Sequence, residues 1–258
     1  MLGSCFSDEI GAQMQQRFLN VTCNPFGTLY NPLSIANAIN YKSEIINQKS
    51  QIPLVEHDGL WHSMAHHGSF SRPTKEEAEE AVQASIETMQ KALAEATVVI
   101  VTFGTAWVYE KDDEIVGNCH KLPESSFTRR RLSVEEIVAA WQPILERYPD
   151  KHWLFTVSPI RHIKDGLHEN QLSKATLLQA VDKLTNQKNT ISYFPSYEIV
   201  LDELRDYRFY ADDLVHPSSL AVAYIWERFV DTFCTNQTKN ELVLQHKRWK
   251  HEHHIPLH

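Results

Sequence analysis

The sequence predicts an α/β chain folded as a three-layer α/β/α sandwich around a parallel sheet. Short runs at residues 97–103, 153–157 and 191–194 are apolar at almost every position, as strands covered on both faces must be. These runs alternate with capped helical patterns, the order that builds parallel crossovers. With 258 residues, 42% hydrophobic and 22% charged, the chain can bury one sizeable core without staples.

Taken in order, Gly3-Ser4-Cys5-Phe6-Ser7-Asp8 opens onto Ile10, Met14 and Phe18 at helical spacing. Ser4 therefore falls at a strand-to-helix turn, beside free N–H groups that stabilise negative charge. Residues 40–74 have weak periodicity and read as a capping insertion. Thr74 with Glu77 forms a capping box for a helix over about 75–96, striped by Ala78, Val82, Ser85, Met89 and Leu93. Ser133 with Glu136 repeats the device before Ile137, Trp141, Ile144 and Leu145. Ser173 starts or interrupts a helix through Leu184, and Pro217 suits the first turn of a last long helix reaching about Phe233. No repeat or linker divides the chain, so residues 1–240 read as a single domain and 241–258 as a solvated, polar, His-rich tail.

Composition removes several classes of function. A net charge of −8 disfavours a nucleic-acid partner, which would be met by a basic stripe. Cys5, Cys23, Cys119 and Cys234 fit neither a zinc pattern nor a compact disulfide scaffold. No apolar run approaches the ~18 residues of a membrane span, and Met1-Leu2-Gly3-Ser4 lacks the features of a secretory signal. As written, the chain reads as unexported.

In such folds chemistry collects beyond the carboxyl ends of the strands. The segments found there are Gly104-Thr105-Ala106-Trp107, Ser158-Pro159-Ile160-Arg161-His162 and Pro195-Ser196-Tyr197-Glu198. Ser4 is a weak nucleophile without a base. Asp213-Leu214-Val215-His216-Pro217 supplies one, because the three-residue spacing lets a carboxylate hold one imidazole nitrogen while the other faces a serine. Each half alone has a plainer reading: Ser4 as an N-cap, and Asp213 with His216 as a turn and cap.

These residues resemble the GSCFA family, a branch similar to the SGNH/GDSL hydrolases. Gly3-Ser4-Cys5-Phe6 matches its name motif, with Ser7 where alanine is frequent. The resemblance extends over Asn24-Pro25-Phe26-Gly27-Thr28, Trp61-His62, His66-His67, Phe70-Ser71, residues 102–109, Asn118-Cys119-His120-Lys121, Ser158 to His162 and Asp213 to His216. It implies a flavodoxin-like sheet with Ser4 as nucleophile, His216 as base and Asp213 as its orienter. Two departures stand out. Where SGNH enzymes carry an oxyanion-hole asparagine, Gly104-Thr105-Ala106 has alanine. The stand-ins are the N–H groups of Cys5 and Gly27, the Thr105 hydroxyl and Asn118, and a lost donor costs ~10²–10³ in rate. Related proteins also lead into the serine with an apolar strand, whereas here only Met1-Leu2 precede it. A missing first strand is therefore expected, leaving unpaired backbone and apolar surface on the neighbouring strands.

The function expected is hydrolysis of a small acyl, acetyl-like ester on a carbohydrate-like alcohol through an acyl-enzyme, with kcat/KM rising with pH through a histidine-like value of ~6–7. No metal or organic cofactor is expected. His62, His66 and His67 lack the cysteine or carboxylate spacing of a metal site, and His67, His120 and His162 are expected to contact substrate. An acyltransferase of the same mechanism and a non-catalytic carbohydrate-binding descendant are the rival readings.

Overall fold

The computed structural model describes residues 1–41 and 53–253; residues 42–52 of the expected insertion and 254–258 of the expected tail lie outside the described residues. In chain order the elements are β1 (Leu2–Gly3), α1 (Cys5–Gln15), α2 (Pro32–Asn40), β2 (Leu54–His57), β3 (Leu60–Ser63), α3 (Lys75–Glu95), β4 (Val98–Phe103), β5 (Trp107–Lys111), β6 (Glu114–Val116), β7 (Thr128–Arg131), α4 (Val134–Arg147), β8 (His152–Val157), α5 (Leu167–Thr185), β9 (Ile191–Phe194), α6 (Ser196–Glu198), α7 (Ser219–Phe233) and α8 (Asn236–Glu252).

The three apolar runs become β4, β8 and β9, which pair in parallel with β1 in the order β1-β4-β8-β9. Because side chains alternate along a strand, each strand feeds two cores. Val99, Val101 and Phe103 of β4 and Trp153, Phe155 and Val157 of β8 pack with α2, α3, α4 and α5. Ile100 and Leu154 face the other way, against Phe6, Ile10 and Met14 of α1 and Val222, Ile225 and Trp226 of α7. The architecture is the expected α/β/α sandwich.

Local signals set most helix ends. Thr74 accepts the Glu77 N–H at the start of α3, and Ser133 with Glu136 completes a capping box at α4. Three boundaries differ from expectation. Ser173 lies inside α5, whose N-cap is Gly166. Pro217 precedes the true N-cap of α7, Ser218, which accepts the Ala221 N–H. The tail expected to be solvated begins within α8, capped by Thr235. Its Leu242 is buried in the second core, and its His246 shares a hydrogen bond with Arg17 (3.1 Å).

Two antiparallel additions carry the surface around the sheet. β2 and β3 form a hairpin around Asp58-Gly59, both with positive φ, the residue pair such a turn demands. β5 pairs with β6 and β7 in a three-stranded ribbon, and its turn uses Asp112-Asp113, again both at positive φ.

The start of the chain is ordered by segment 24–29. Asn24 N–H donates to Met1 C=O (2.9 Å), Asn24 Oδ1 accepts the Gly3 N–H (2.8 Å) and Leu29 N–H donates to Gly3 C=O (3.0 Å). The outer edge of β1 is thereby satisfied; the first strand, expected to be missing, is present as a two-residue pairing with β4. Beside Val98, Val99 and Ile100, which β1 does not pair, runs an apolar cleft of about 490 Å³. Gly3 itself is required: its φ is +135°, and a Cβ would lie 2.1 Å from Thr102 C=O.

The larger core centres on Trp141, fully buried, set edge-on to Phe103, Phe155 and Trp153, with its Nε1–H donating to Pro32 C=O (3.0 Å). Trp141→Ala is expected to cost about 3–5 kcal/mol, read as a lower urea midpoint; a midpoint within error of wild type would contradict this packing.

Candidate active site

The carboxyl ends of β1, β4 and β8 converge on Ser4, Gly104 and Ser158. Ser4 is the N-cap residue of α1 in extended backbone (φ −70°, ψ 173°), yet its side chain makes no capping bond. Its Oγ is buried and has no hydrogen-bond partner. The hydroxyl therefore does not do the work the plainer reading gives it. Position is fixed instead by backbone and neighbours: Ser4 N–H donates to Thr102 C=O (3.3 Å), and Ser7 Oγ donates to Thr102 Oγ1 (2.8 Å).

Asp213 and His216 form a pair. His216 Nδ1 lies 2.6 Å from Asp213 Oδ2, while Asp213 Oδ1 accepts the N–H groups of Val215 (2.9 Å) and His216 (3.0 Å). The His216 N–H and ring, followed by the Val215 N–H, hold the carboxyl at about 2, below its ordinary range. Leu214 takes φ +57° to close this turn. Arg161 braces it from the β8 side: its N–H donates to Val215 C=O (3.1 Å), its Nη1 donates to Leu214 C=O (3.3 Å), and its guanidinium lies 3.9 Å from the Tyr210 ring centroid.

His162, the end of the β8 loop, lies beside Gly104 and Ser4. A Cβ on Gly104 would meet Tyr30 C=O at 2.9 Å, His162 Nε2 at 3.2 Å and Ser4 Cβ at 3.3 Å, so only glycine lets Ser4 and His162 approach there. His162 N–H donates to Asn170 Oδ1 (2.9 Å), its ring is edge-on to Tyr30, and its Nε2 is buried without a partner. Burial, then Lys174, then His216 push the imidazole down to about 3, so it is neutral at ordinary pH. Ser4 Oγ and His216 are not hydrogen-bonded; catalytic hydrogen bonds commonly tighten only with substrate.

The expected oxyanion donors separate. Cys5 is the first residue of α1, where N–H groups have no intrahelical acceptor; its Sγ lies 3.6 Å from Tyr30 Oη. Gly27 N–H is already committed to Asn24 C=O (2.7 Å). Thr105 Oγ1 accepts the Trp107 N–H and shares a bond with Ser173 Oγ (3.0 Å), so it serves its own loop. Asn118 Oδ1 accepts the His120 N–H (2.8 Å), while the residue lines a cavity of about 500 Å³ with Tyr30, Thr105, Trp107, Arg129 and His162. The other two expected contact histidines are elsewhere. His67 caps the turn Gly68–Phe70 and packs over Gly27. His120 binds Ser63 C=O (2.8 Å) and lies over His62. His62 and His66 spend both ring nitrogens on hydroxyl and carbonyl groups.

Lys174 was not anticipated, although Lys174, Leu177, Val181 and Leu184 share one buried stripe of α5. Its Nζ donates to Gly104 C=O (2.6 Å) and Ser158 C=O (2.7 Å), clamping the ends of β4 and β8. Trp107, from the expected loop 104–107, walls the cavity that Asn118 lines, and Arg129, which was not anticipated, walls it too. Arg129 stacks on Trp107 (4.6 Å) and pairs with Asp165, leaving Arg129 Nε and Trp107 Nε1 without partners.

Residues 1–229 match the family model described as the GSCFA family. No curated protein and no solved structure matches the chain.

Burial lowers Lys174 from 10.5 to about 7. Between those values the unfolded chain holds a proton that the folded protein lacks, so stability rises with pH across about 7 to 10.5. Relative to Lys174→Met, the wild-type thermal midpoint is expected to climb between pH 7 and pH 9.5; parallel curves would contradict a buried, proton-poor amine.

Proposed function

The chain belongs to the GSCFA family, and we propose that it is a serine esterase of the SGNH/GDSL type, cleaving a small acyl ester of an alcohol such as a sugar hydroxyl. The observation that carries this reading is the Asp213–His216 pair at 2.6 Å, accompanied by a buried serine hydroxyl, Ser4 Oγ, that no structural bond employs. A carboxylate held ionised on Nδ1 fixes the tautomer that leaves Nε2 as the proton acceptor.

In this mechanism Ser4 Oγ attacks the acyl carbon, its proton passes to His216 Nε2, and the carbonyl pair moves onto oxygen. Collapse expels the alcohol oxygen, which takes the proton from His216. Water then repeats the cycle on the acyl-enzyme and frees the acid. The cavity walled by Trp107, Tyr109, Arg129 and His162 suits the alcohol portion, because aromatic faces pack on a sugar ring.

Aryl acetate turnover and labelling by a fluorophosphonate, located by peptide mass spectrometry, test the proposal. Wild type is expected to turn over and to label at Ser4; Ser4→Ala is expected to lose both, and His216→Ala to lose about 10³-fold or more in kcat. Asp213 stays ionised down to about pH 2, so loss of its charge is not expected to limit kcat/KM above that pH. Folded wild-type protein that neither turns over nor labels would refute the reading.

A further inference from the structure

We propose that His162 is the oxyanion donor of this site, with its Nε2–H taking the place of the absent asparagine side chain. The inference rests on the esterase reading and assigns a reacting-centre role to a residue that reading does not use.

Three observations converge on it. His162 Nε2 is a buried polar atom without a partner, as is Ser4 Oγ, and an orphaned buried donor costs free energy unless function employs it. His162 Nε2 and Ser4 Cβ both come within about 3.3 Å of the point where a Cβ on Gly104 would lie. Of the other candidate donors, Gly27 N–H and the Thr105 hydroxyl are spent on their own loops, and Asn118 turns its Oδ1 to the His120 N–H; the Cys5 N–H, at the start of α1 with no intrahelical acceptor, is taken as the second arm of the hole.

The surroundings also divide the labour between two histidines. The His162 ring is edge-on to Tyr30, and burial, then Lys174, then His216 lower its pKa. It is therefore a neutral imidazole that does not compete for the serine proton. His216 has the carboxylate and takes that proton. When His216 becomes imidazolium in the transition state, its charge further disfavours a second imidazolium nearby. His162 therefore gives a hydrogen bond, not a proton, to the carbonyl oxygen as the electron pair arrives there. Asn170, which accepts the His162 N–H, and Lys174, which holds Gly104 and Ser158, act as positioning residues.

The test uses full-length protein with aryl acetate as substrate. His162→Leu is expected to lower kcat by ~10²–10³ with KM little changed, while His162→Gln, which restores an N–H donor, recovers part of the loss. Both variants keep the acid limb of the pH profile and still label at Ser4, more slowly. An unchanged kcat, an effect confined to KM, or loss of the acid limb in His162→Gln would overturn the inference and leave the esterase reading standing. Absence of wild-type turnover and labelling would remove that reading and the inference with it. Should the variants fail to fold, ¹⁵N NMR of the wild type decides: the His162 proton is expected on Nε2 and its resonance to shift on phosphonylation of Ser4. A proton on Nδ1, or no shift, would overturn the assignment.

Discussion

The site depends on two residues of parallel pairing. Leu2 opposite Val101 and Gly3 opposite Thr102 set the register that ties the Ser4 segment to the sheet, and they do so at its edge. Gly3 makes the approach feasible, because no side chain fits against Thr102 C=O. Asn24 closes the other side of the strand with its side chain and is itself held by Asp8 (2.7 Å). Given this register, α1 must start at Cys5, and Ser4 must stand at its N-terminus with the hydroxyl turned away from the helix.

A second constraint lies beneath the first. Lys174 crosses from α5 to two carbonyls at the ends of β4 and β8. A buried amine with only neutral acceptors costs stability, and a hydrophobic residue would pack there more cheaply. The clamp instead fixes Gly104 and Ser158 relative to each other. The β8 loop then delivers Arg161 to the His216 turn and His162 to Ser4. One loop thus reaches both the His216 turn and Ser4, with adjacent residues facing different partners.

Much of this was legible from residue types. Apolar runs gave β4, β8 and β9 because parallel strands must be apolar on both faces, and capping pairs gave α3 and α4 because their orphan N–H groups need side-chain acceptors. The Asp213–His216 contact followed from a three-residue spacing that the turn realises. Other features were hidden for physical reasons. The β5–β7 ribbon turns on Asp112-Asp113, a pair that lacks the usual glycine, so its cavity walls left little trace. Asp58-Gly59 did carry the hairpin signal. α8 is polar at most positions and holds on mainly through Leu242, which makes its sequence look like a tail. The expected roles of Gly27, Thr105, His67 and His120 depended on which hydrogen bonds their loops make internally, and spacing does not encode that.

The central claim is that Ser4, His216 and His162 act on one acyl carbon. A crystal structure of the fluorophosphonate-treated protein measures it most directly. The account predicts phosphorus bonded to Ser4 Oγ, with a phosphonyl oxygen within hydrogen-bonding distance of His162 Nε2 and His216 Nε2 turned toward the adduct. Phosphorus on another residue, or on Ser4 with both imidazoles out of reach, would contradict it.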